Sequence, residues 1–560
     1  MRGEVKNAQG NVLPYAKIRL LSKGAALFTS GASGSFGIPL SQKQDSITIS
    51  LDGYKTLTQL ISVSSFQSLI VTPAQLASEK PFTGLMSLTK SIAVNKPTTA
   101  VAYGEETYTS LAENSFVKAS DAARTSIALN INCASYSNIR RFLNMKSVVP
   151  PDGVRIEEML NYFNLNESKN EPPNGSFRVS SQLTSCPWKD NNRLLFINVQ
   201  APKLDYKNAT PAKFIFLIDV SGSMDKDNRL PLVQAAFKFL VNNLREQDTV
   251  GIVTYGGYVG IALQPTSGAE KDKIDKVIDS LHADGDTPGS QAIQTAYQMA
   301  EKLFDAKSNN RVILATDGDF NIGQTSDKEL QTIISRYKDK GIYLTCLGTG
   351  MGNYKDSRLE MLAKKGNGNF AYIDNLAEAQ KTMVTEFTKN MYAVANNATL
   401  HIFFNDKAVD SYRLIGYDNR RDALKDTSLM EGGELGSGQN TLVVFEIAPT
   451  LLNEEPLASV EFYYHQPQNE SQLAQKFIVT NRIIRIDSSE SKLRMAAAVC
   501  MFGMMLKQSN YAVGYTWDTV ANLARSAYHP DQVSEKELVE LIEKAKNVYR
   551  VNSTDKKKRK

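Results

Sequence analysis

Asp219, Ser221 and Ser223 stand two residues apart where the apolar run FIFLIDV gives way to SGSM. A carboxylate and two hydroxyls at that spacing are either a polar turn, for which Asp, Ser and Gly are the usual residues, or part of an oxygen cage for a hard cation. Two further segments bear on the choice. RVILATDGDF sets Asp317 at the tip of a second apolar run, and HADGDTPGSQAI sets Thr287 just ahead of a helical pattern. Together, Asp219, Ser221, Ser223, Thr287 and Asp317 offer carboxylates and hydroxyls, and no His or Cys. Oxygen-only sets suit Mg²⁺, Ca²⁺ or Mn²⁺ rather than zinc, and Mg²⁺ is the ion expected first. The two carboxylates at most balance a divalent charge, so a partner protein's Asp or Glu would be drawn to such an ion. Asp225, Asp284 and Asp286 lie close in the chain but outside the pattern, and are expected to be solvated. His282 is expected to be a partly exposed polar residue, since hard cations take oxygen.

These residues need strands to hold them. KFIFLIDV reads as a strand and PLVQAAFKFLVNNL as its helix, with Leu232, Val233, Ala236, Phe237, Leu240 and Val241 on one face and Pro231 suited to the first turn. TVGIVTY, RVILATDG, IYLTCLG and NFAYID supply further strands, and KIDKVIDSL, QAIQTAYQMAEKLF and KELQTIISRYKDK supply helices. Continuous apolar strands alternating with amphipathic helices predict a doubly wound α/β domain over 206–391. Ligands of such sheets bind beyond the carboxyl ends of the strands, at the topological switch. Asp219 and Asp317 sit at such ends.

D-x-S-x-S after one apolar strand, followed by T-D-G after another, resembles the metal-ion-dependent adhesion site of a von Willebrand factor A domain. The resemblance implies that Asp219, Ser221, Ser223, Thr287 and Asp317 are the five metal-site positions, and that the domain binds protein rather than transforms a substrate. SYSNIRRFLN, PDGVRIEEMLNYF, GMGNYKDS, KKGNGNFAYID and YRLIGYDNR extend the likeness to YfbK-type bacterial A-domain proteins, over roughly residues 110 to 550. Asn130, Asn132 and Cys133 stand where that family suggests an acidic pair.

The remaining texture divides the chain. Residues 1–75 carry short alternating runs with glycine turns, GEVKNAQGNVLPYAKIRLL, GSFGIPL and DSITISLDGY, which predict a small β-sandwich and resemble a carboxypeptidase-regulatory-like, transthyretin-type domain. Residues 76–110 are rich in Ser, Thr, Ala and Lys without periodicity and read as a linker. Residues 111–175 form an A-domain-associated segment. Strand-like runs at 176–205 and 392–485 are expected to pair into one β-sandwich into which the A domain is inserted, because the first set alone offers only two strands. Residues 486–550 read as helical, with MAAAVCMFGMML too short to span a bilayer, and residues 551–560 read as a basic, solvated tail.

With 560 residues the chain exceeds one core. Its net charge of +5 is matched by the five basic residues that end it, Lys556 to Lys560. The body is thus neutral, and no affinity for nucleic acid follows. Cys133, Cys186, Cys346 and Cys500 lie far apart with no C-x-x-C pair, which excludes zinc-finger and thioredoxin motifs. No transmembrane segment or signal peptide is legible. An extracytoplasmic location is expected if a leader has been trimmed, and a cytoplasmic one otherwise. A phosphohydrolase would need a second Asp two residues after Asp219, where Ser221 stands. Gly348, Gly350 and Gly352 lack a nucleotide-loop signature and read as a turn. The reading is therefore a non-enzymatic, metal-dependent adhesion or assembly protein, the alternative being an intracellular scaffold or chaperone-like partner of a larger machine.

Overall fold

The computed structural model describes the chain apart from residues 8–9, 14–15, 24–26, 32–33, 39–43, 52–53, 63–64, 73–99, 104, 131, 166–175, 286–288, 319–326, 419–431, 453–454, 468–470 and 559–560. In the N-terminal unit, Met1–Val94, the described residues include seven short strands. These are β1 (Arg2–Asn7), β2 (Lys17–Leu20), β3 (Leu27–Thr29), β4 (Ser35–Gly37), β5 (Gln44–Ser50), β6 (Leu57–Ser62) and β7 (Gln67–Val71). Side chains alternate between core and surface most clearly in β2 and β5. One sheet runs β4-β1-β7 and the other β3-β2-β5-β6. Val5, Ile18, Ile47, Ile49 and Leu69 belong to their common core.

The second unit, Asn95–Lys560, begins with a hairpin of β8 (Ala100–Tyr103) and β9 (Glu106–Thr109). Tyr108 in it is fully buried, and Thr107 bridges to Lys355. The linker expected over 76–110 therefore stops short of residue 110. Its Ser and Thr content suits a linker, yet ETYT alternates buried and half-buried as a strand does. Strands β10 (Val117–Lys118) and β11 (Arg124–Ala128) follow, then helices α1 (Ala134–Asn144) and α2 (Ile156–Tyr162), then β12 (Arg178–Ser185) and β13 (Arg193–Gln200).

The inserted domain starts with β14 (Ala212–Asp219), α3 (Leu230–Asn243), β15 (Thr249–Gly256), β16 (Tyr258–Ser267) and α4 (Lys271–Asp279). It continues through α5 (Gly289–Lys302), β17 (Asn309–Thr316), α6 (Asp327–Asp339), β18 (Ile342–Gly348), α7 (Asp356–Lys365) and β19 (Phe370–Tyr372). Its last helical stretch is broken into α8 (Leu376–Gln380), one π-helical turn (Lys381–Thr385) and α9 (Phe387–Met391). Strand order is β16-β15-β14-β17-β18-β19, parallel except for β16. The winding reverses between β14 and β17, which is the switch point. Along β14, Phe214, Phe216 and Ile218 join one core while Ile215 and Leu217 join the other, so both faces are covered. Phe216 stacks on Phe237 of α3 at 4.2 Å, and each such fully buried ring stabilises the fold by about 2 kcal/mol.

After the insertion come β20 (Ala393–Phe404), β21 (Val409–Ile415), β22 (Gly433–Gly436), β23 (Asn440–Pro449), β24 (Ala458–His465), β25 (Gln472–Val479) and β26 (Ile483–Ile484). They share sheets with the earlier strands. One sheet runs β10-β21-β23-β13-β12-β26, the other β11-β20-β24-β25 with β22 also on β20. Leu195 of β13 lies opposite Phe445 of β23, so strands from before and after the A domain stand side by side. The sandwich is wider than 176–205 plus 392–485, since β10 and β11 come from the 111–175 segment. Asn309 draws the two ends of the insertion together: its N–H donates to Pro211 O at 2.8 Å and its Nδ2 to Met391 O at 2.6 Å.

The last described elements are the helices α10 (Ser491–Leu506), α11 (Trp517–Ala527) and α12 (Val533–Lys558). Helix α10 is apolar on all sides and buried on nearly all of them, as a core helix must be. It packs on α2 and α11, and α12 packs on α1. The backbone of α12 runs to Lys558, so the basic tail expected from 551 begins as helix. No described helix is long and apolar enough to cross a membrane.

Buried ion pairs tie α1 and α2 to the inserted domain. Arg155 donates to Glu158 at 2.7 Å and to Asp356 at 2.6 Å, all three buried. One guanidinium thus serves two carboxylates, and burial pushes Glu158 up to about 7. A raised carboxyl contributes stability that is complete below its unfolded value, near 4.5, and is lost as pH rises through about 7. Glu158→Gln should remove that dependence, which amounts to about 3 kcal/mol at most. Denaturant unfolding at pH 5 and pH 8 measures it; the same change in stability for both chains would contradict the assignment.

Candidate functional site

Four of the five sequence-derived residues, Asp219, Ser221, Ser223 and Asp317, lie at the switch point. Asp219 ends β14 with its side chain inaccessible to solvent. Its Oδ1 accepts from Ser221 N at 2.9 Å, and its Oδ2 from Thr316 Oγ1 at 2.7 Å. Ser221 Oγ and Ser223 Oγ lie 3.2 Å apart, while neighbouring ligands of an octahedral Mg²⁺ lie about 3 Å apart. Asp317, immediately beyond β17, is also fully buried. Burial pushes Asp219 up to about 6; bonds from Ser221 and Thr316 oppose the rise, and the charge of Asp317 adds to it. Asp219 and Asp317 are inaccessible carboxylates at the ends of adjacent strands, and Arg229 pairs with Asp317; the negative charge that remains favours a cation.

Backbone bonds lace three loops around these groups. Val220 N donates to Tyr255 O at 2.8 Å, Asp284 N to Val220 O at 2.7 Å, and Gly222 N to Gly285 O at 2.9 Å. Gly256 permits this closeness, because a Cβ there would lie 2.4 Å from Val220 O. Thr287 and Asp286 lie outside the described residues. Asp225, Asp284 and His282 are exposed. Among the described residues, no group of three or more His, Cys, Asp or Glu is placed to hold a metal. Asp219, Ser221, Ser223 and Asp317 offer only oxygen donors, the kind a hard cation takes.

Asn130, Asn132 and Cys133 are engaged by neighbouring parts of the fold. Asn132 Oδ1 accepts from Phe370 N at 3.0 Å, and Asn161 Nδ2 donates to the carbonyls of Asn130 and Asn132 at 3.1 and 3.3 Å. Cys133 is buried, and burial pushes its thiol up to about 12. All four cysteines are free and buried.

Three residues at the site have roles that their sequence motifs did not assign, although Thr316 opens T-D-G and Asn353 lies in GMGNYKDS. Thr316 holds Asp219, as above. Arg229, just before α3, is buried and donates from Nη1 to Asp317 Oδ2 at 2.6 Å. Asn353 Nδ2 donates to that same oxygen at 3.0 Å. Arg229 lies 88 positions from its carboxylate, so no local pattern marks it. The glycine-rich segment wraps its side chain: at Gly350, where φ is +76°, a Cβ would lie 2.6 Å from Arg229 Nε.

Comparison with known proteins places these elements. Residues 214–386 match the family profile "von Willebrand factor type A domain", residues 102–196 "von Willebrand factor", and residues 389–548 "Uncharacterized protein YfbK, C-terminal". The chain is 33% identical to YfbK of Escherichia coli (strain K12), over 80% of this chain and 82% of that one. It is 26% identical to inter-alpha-trypsin inhibitor heavy chain H4 of Sus scrofa, over 43% of this chain and 26% of that protein. Among solved structures, a von Willebrand factor type A protein from Catenulispora acidiphila aligns at 13% identity with a TM-score of 0.41, covering 68% of this chain and 91% of that one.

Proposed function

Because the chain belongs to the YfbK family of von Willebrand factor type A domain proteins, we propose that it is a protein-binding, non-enzymatic adhesion or assembly chain dependent on a divalent cation. Asp219, Ser221, Ser223 and Asp317, with Thr287, would hold the ion; Mg²⁺ suits the set first, and Ca²⁺ or Mn²⁺ could take it. Because Arg229 pairs with Asp317, the charge of the ion would not be fully cancelled, and the Asp or Glu of a partner would be drawn to it. One observation carries this reading: two buried carboxylates and two converging hydroxyls occupy the switch point of the sheet. No reaction is assigned, because the position two after Asp219 holds Ser221 rather than a second acid. The setting proposed is extracytoplasmic if a leader has been trimmed, and cytoplasmic otherwise; the resemblance of residues 1–75 to a transthyretin-type domain supports the former.

The test is retention of a partner. Membrane and soluble fractions passed over the immobilised chain should leave a protein that chelator elutes and Mg²⁺ restores. A column bearing Asp219→Ala should not retain it. Retention indifferent to chelator and to Asp219→Ala would move the contacts to the β domains.

A further inference from the structure

Arg229 brings a fixed cation into the oxygen set. Its Nη1 donates to Asp317 Oδ2 and to the carbonyl of Ser223; its Nη2 donates to Met351 O and Asn353 Oδ1, each at 2.7 Å. Only Nε lacks a hydrogen-bond partner. The side chain therefore ties the β14 loop, the β17 tip and the 349–353 turn together. A purely structural clamp needs no more than these bonds. Charge distinguishes a second role. Asp219 and Asp317 carry two negative charges, Arg229 returns one positive, and the hydroxyls carry none. A divalent ion in this set is left with one positive charge unbalanced by the protein, in a place where such imbalance is costly.

We propose that Arg229 makes cation binding at this site conditional on an anionic ligand: by neutralising Asp317 it weakens the site for the ion alone, and a carboxylate from the partner completes the charge balance. The proposal rests on the metal-site reading above. Ion and carboxylate should then bind cooperatively, each raising the affinity for the other by the same factor. An unliganded chain would hold its ion loosely.

Mn²⁺ titration calorimetry with and without acetate tests this on the full chain, with Arg229→Gln and Arg229→Lys beside it. Neither variant can reproduce the forked set of guanidinium bonds, but only Gln loses the charge. Acetate should tighten Mn²⁺ binding to the natural chain at least about fivefold. Arg229→Gln should bind Mn²⁺ alone at least about tenfold more tightly, with the acetate effect reduced below about twofold. Arg229→Lys should keep the acetate effect. Equal changes in both variants, or weaker Mn²⁺ binding by Arg229→Gln, would make Arg229 a clamp only. The metal-site reading fails separately, if Asp219→Ala binds Mn²⁺ as the natural chain does or if neither the natural chain nor Arg229→Gln binds it.

Discussion

Asp219→Asn should raise the melting temperature of the metal-free chain and erase the stabilisation that Mg²⁺ gives the natural one. The carboxyl of Asp219 is inaccessible, and burial pushes it from 3.8 up to about 6. A group raised in this way contributes stability that is complete below about 3.8 and lost as pH rises through about 6. At neutral pH the ionised side chain therefore costs the fold about 3 kcal/mol. An amide keeps an acceptor for Ser221 N and lacks that cost. The gain should be greatest above pH 6 and disappear near pH 4. Ligand linkage predicts the opposite for the ion: at a hundred times its dissociation constant it adds about 2.7 kcal/mol to a chain that binds it. For a domain of this size, that corresponds to a rise of roughly 5–10 °C. Calorimetric scans with and without millimolar Mg²⁺ read both effects. An Asn variant that responds to Mg²⁺ as the natural chain does would remove Asp219 from the site.

The second large effect is expected at Arg140 of α1. Its guanidinium, 6% exposed, bonds Asp374 through Nε at 2.8 Å, Glu378 of α8 at 2.7 Å, and both Tyr162 and Glu537 at 3.1 Å. One cation thus joins α1, the start of the broken helical stretch and α12. Arg140→Met fills similar space but leaves Asp374 and Glu378 buried without their countercharge. Removing one partner of a buried pair costs about 3–5 kcal/mol. Adding Glu378→Gln should recover part of that loss, because it removes a stranded charge rather than restoring a bond. Urea denaturation of the single and double variants checks this. A double variant less stable than Arg140→Met would place the energy in hydrogen-bond geometry instead.

Much of the A domain was legible because its signals are local. D-x-S-x-S and T-D-G each fit within a few residues, and continuous apolar strands announce a covered parallel sheet. What escaped was set by distant partners. Arg229 is ordinary until the fold brings Asp317, Met351 and Asn353 around it. Strand β16 escaped because it is an exposed edge, with Tyr258 and Ile261 turned to solvent and Pro265 within it, and so lacks an apolar run. AEAQKTMVTEFTKNM reads as one helix, but its backbone slips into a π turn at Lys381–Thr385. The hairpin at 100–109 was hidden by composition: its strands are short, and Tyr108 is buried against groups contributed by α1 and the 350s.

The pairing of β13 with β23 has a consequence for how the chain is made. Asn192 and Glu446, bonded at 2.6 Å across that region, are 254 positions apart. At about 5–20 residues per second, a ribosome needs roughly ten to fifty seconds between them. During that interval β12 and β13 have been synthesised without the central partner of their sheet, and their apolar residues, Leu195, Ile197 and Val199 among them, need shelter. The inserted domain emerges in the meantime, and its sheet is completed from its own strands, β14 pairing with β15 and β17. Once folded, it holds Pro211 and Met391 against the same asparagine, which turns a long loop into a short one. The loop-closure entropy of the sandwich falls accordingly. In this protein the inserted domain would act on its own host during synthesis, as a template that delivers β20 and its successors to the strands waiting for them.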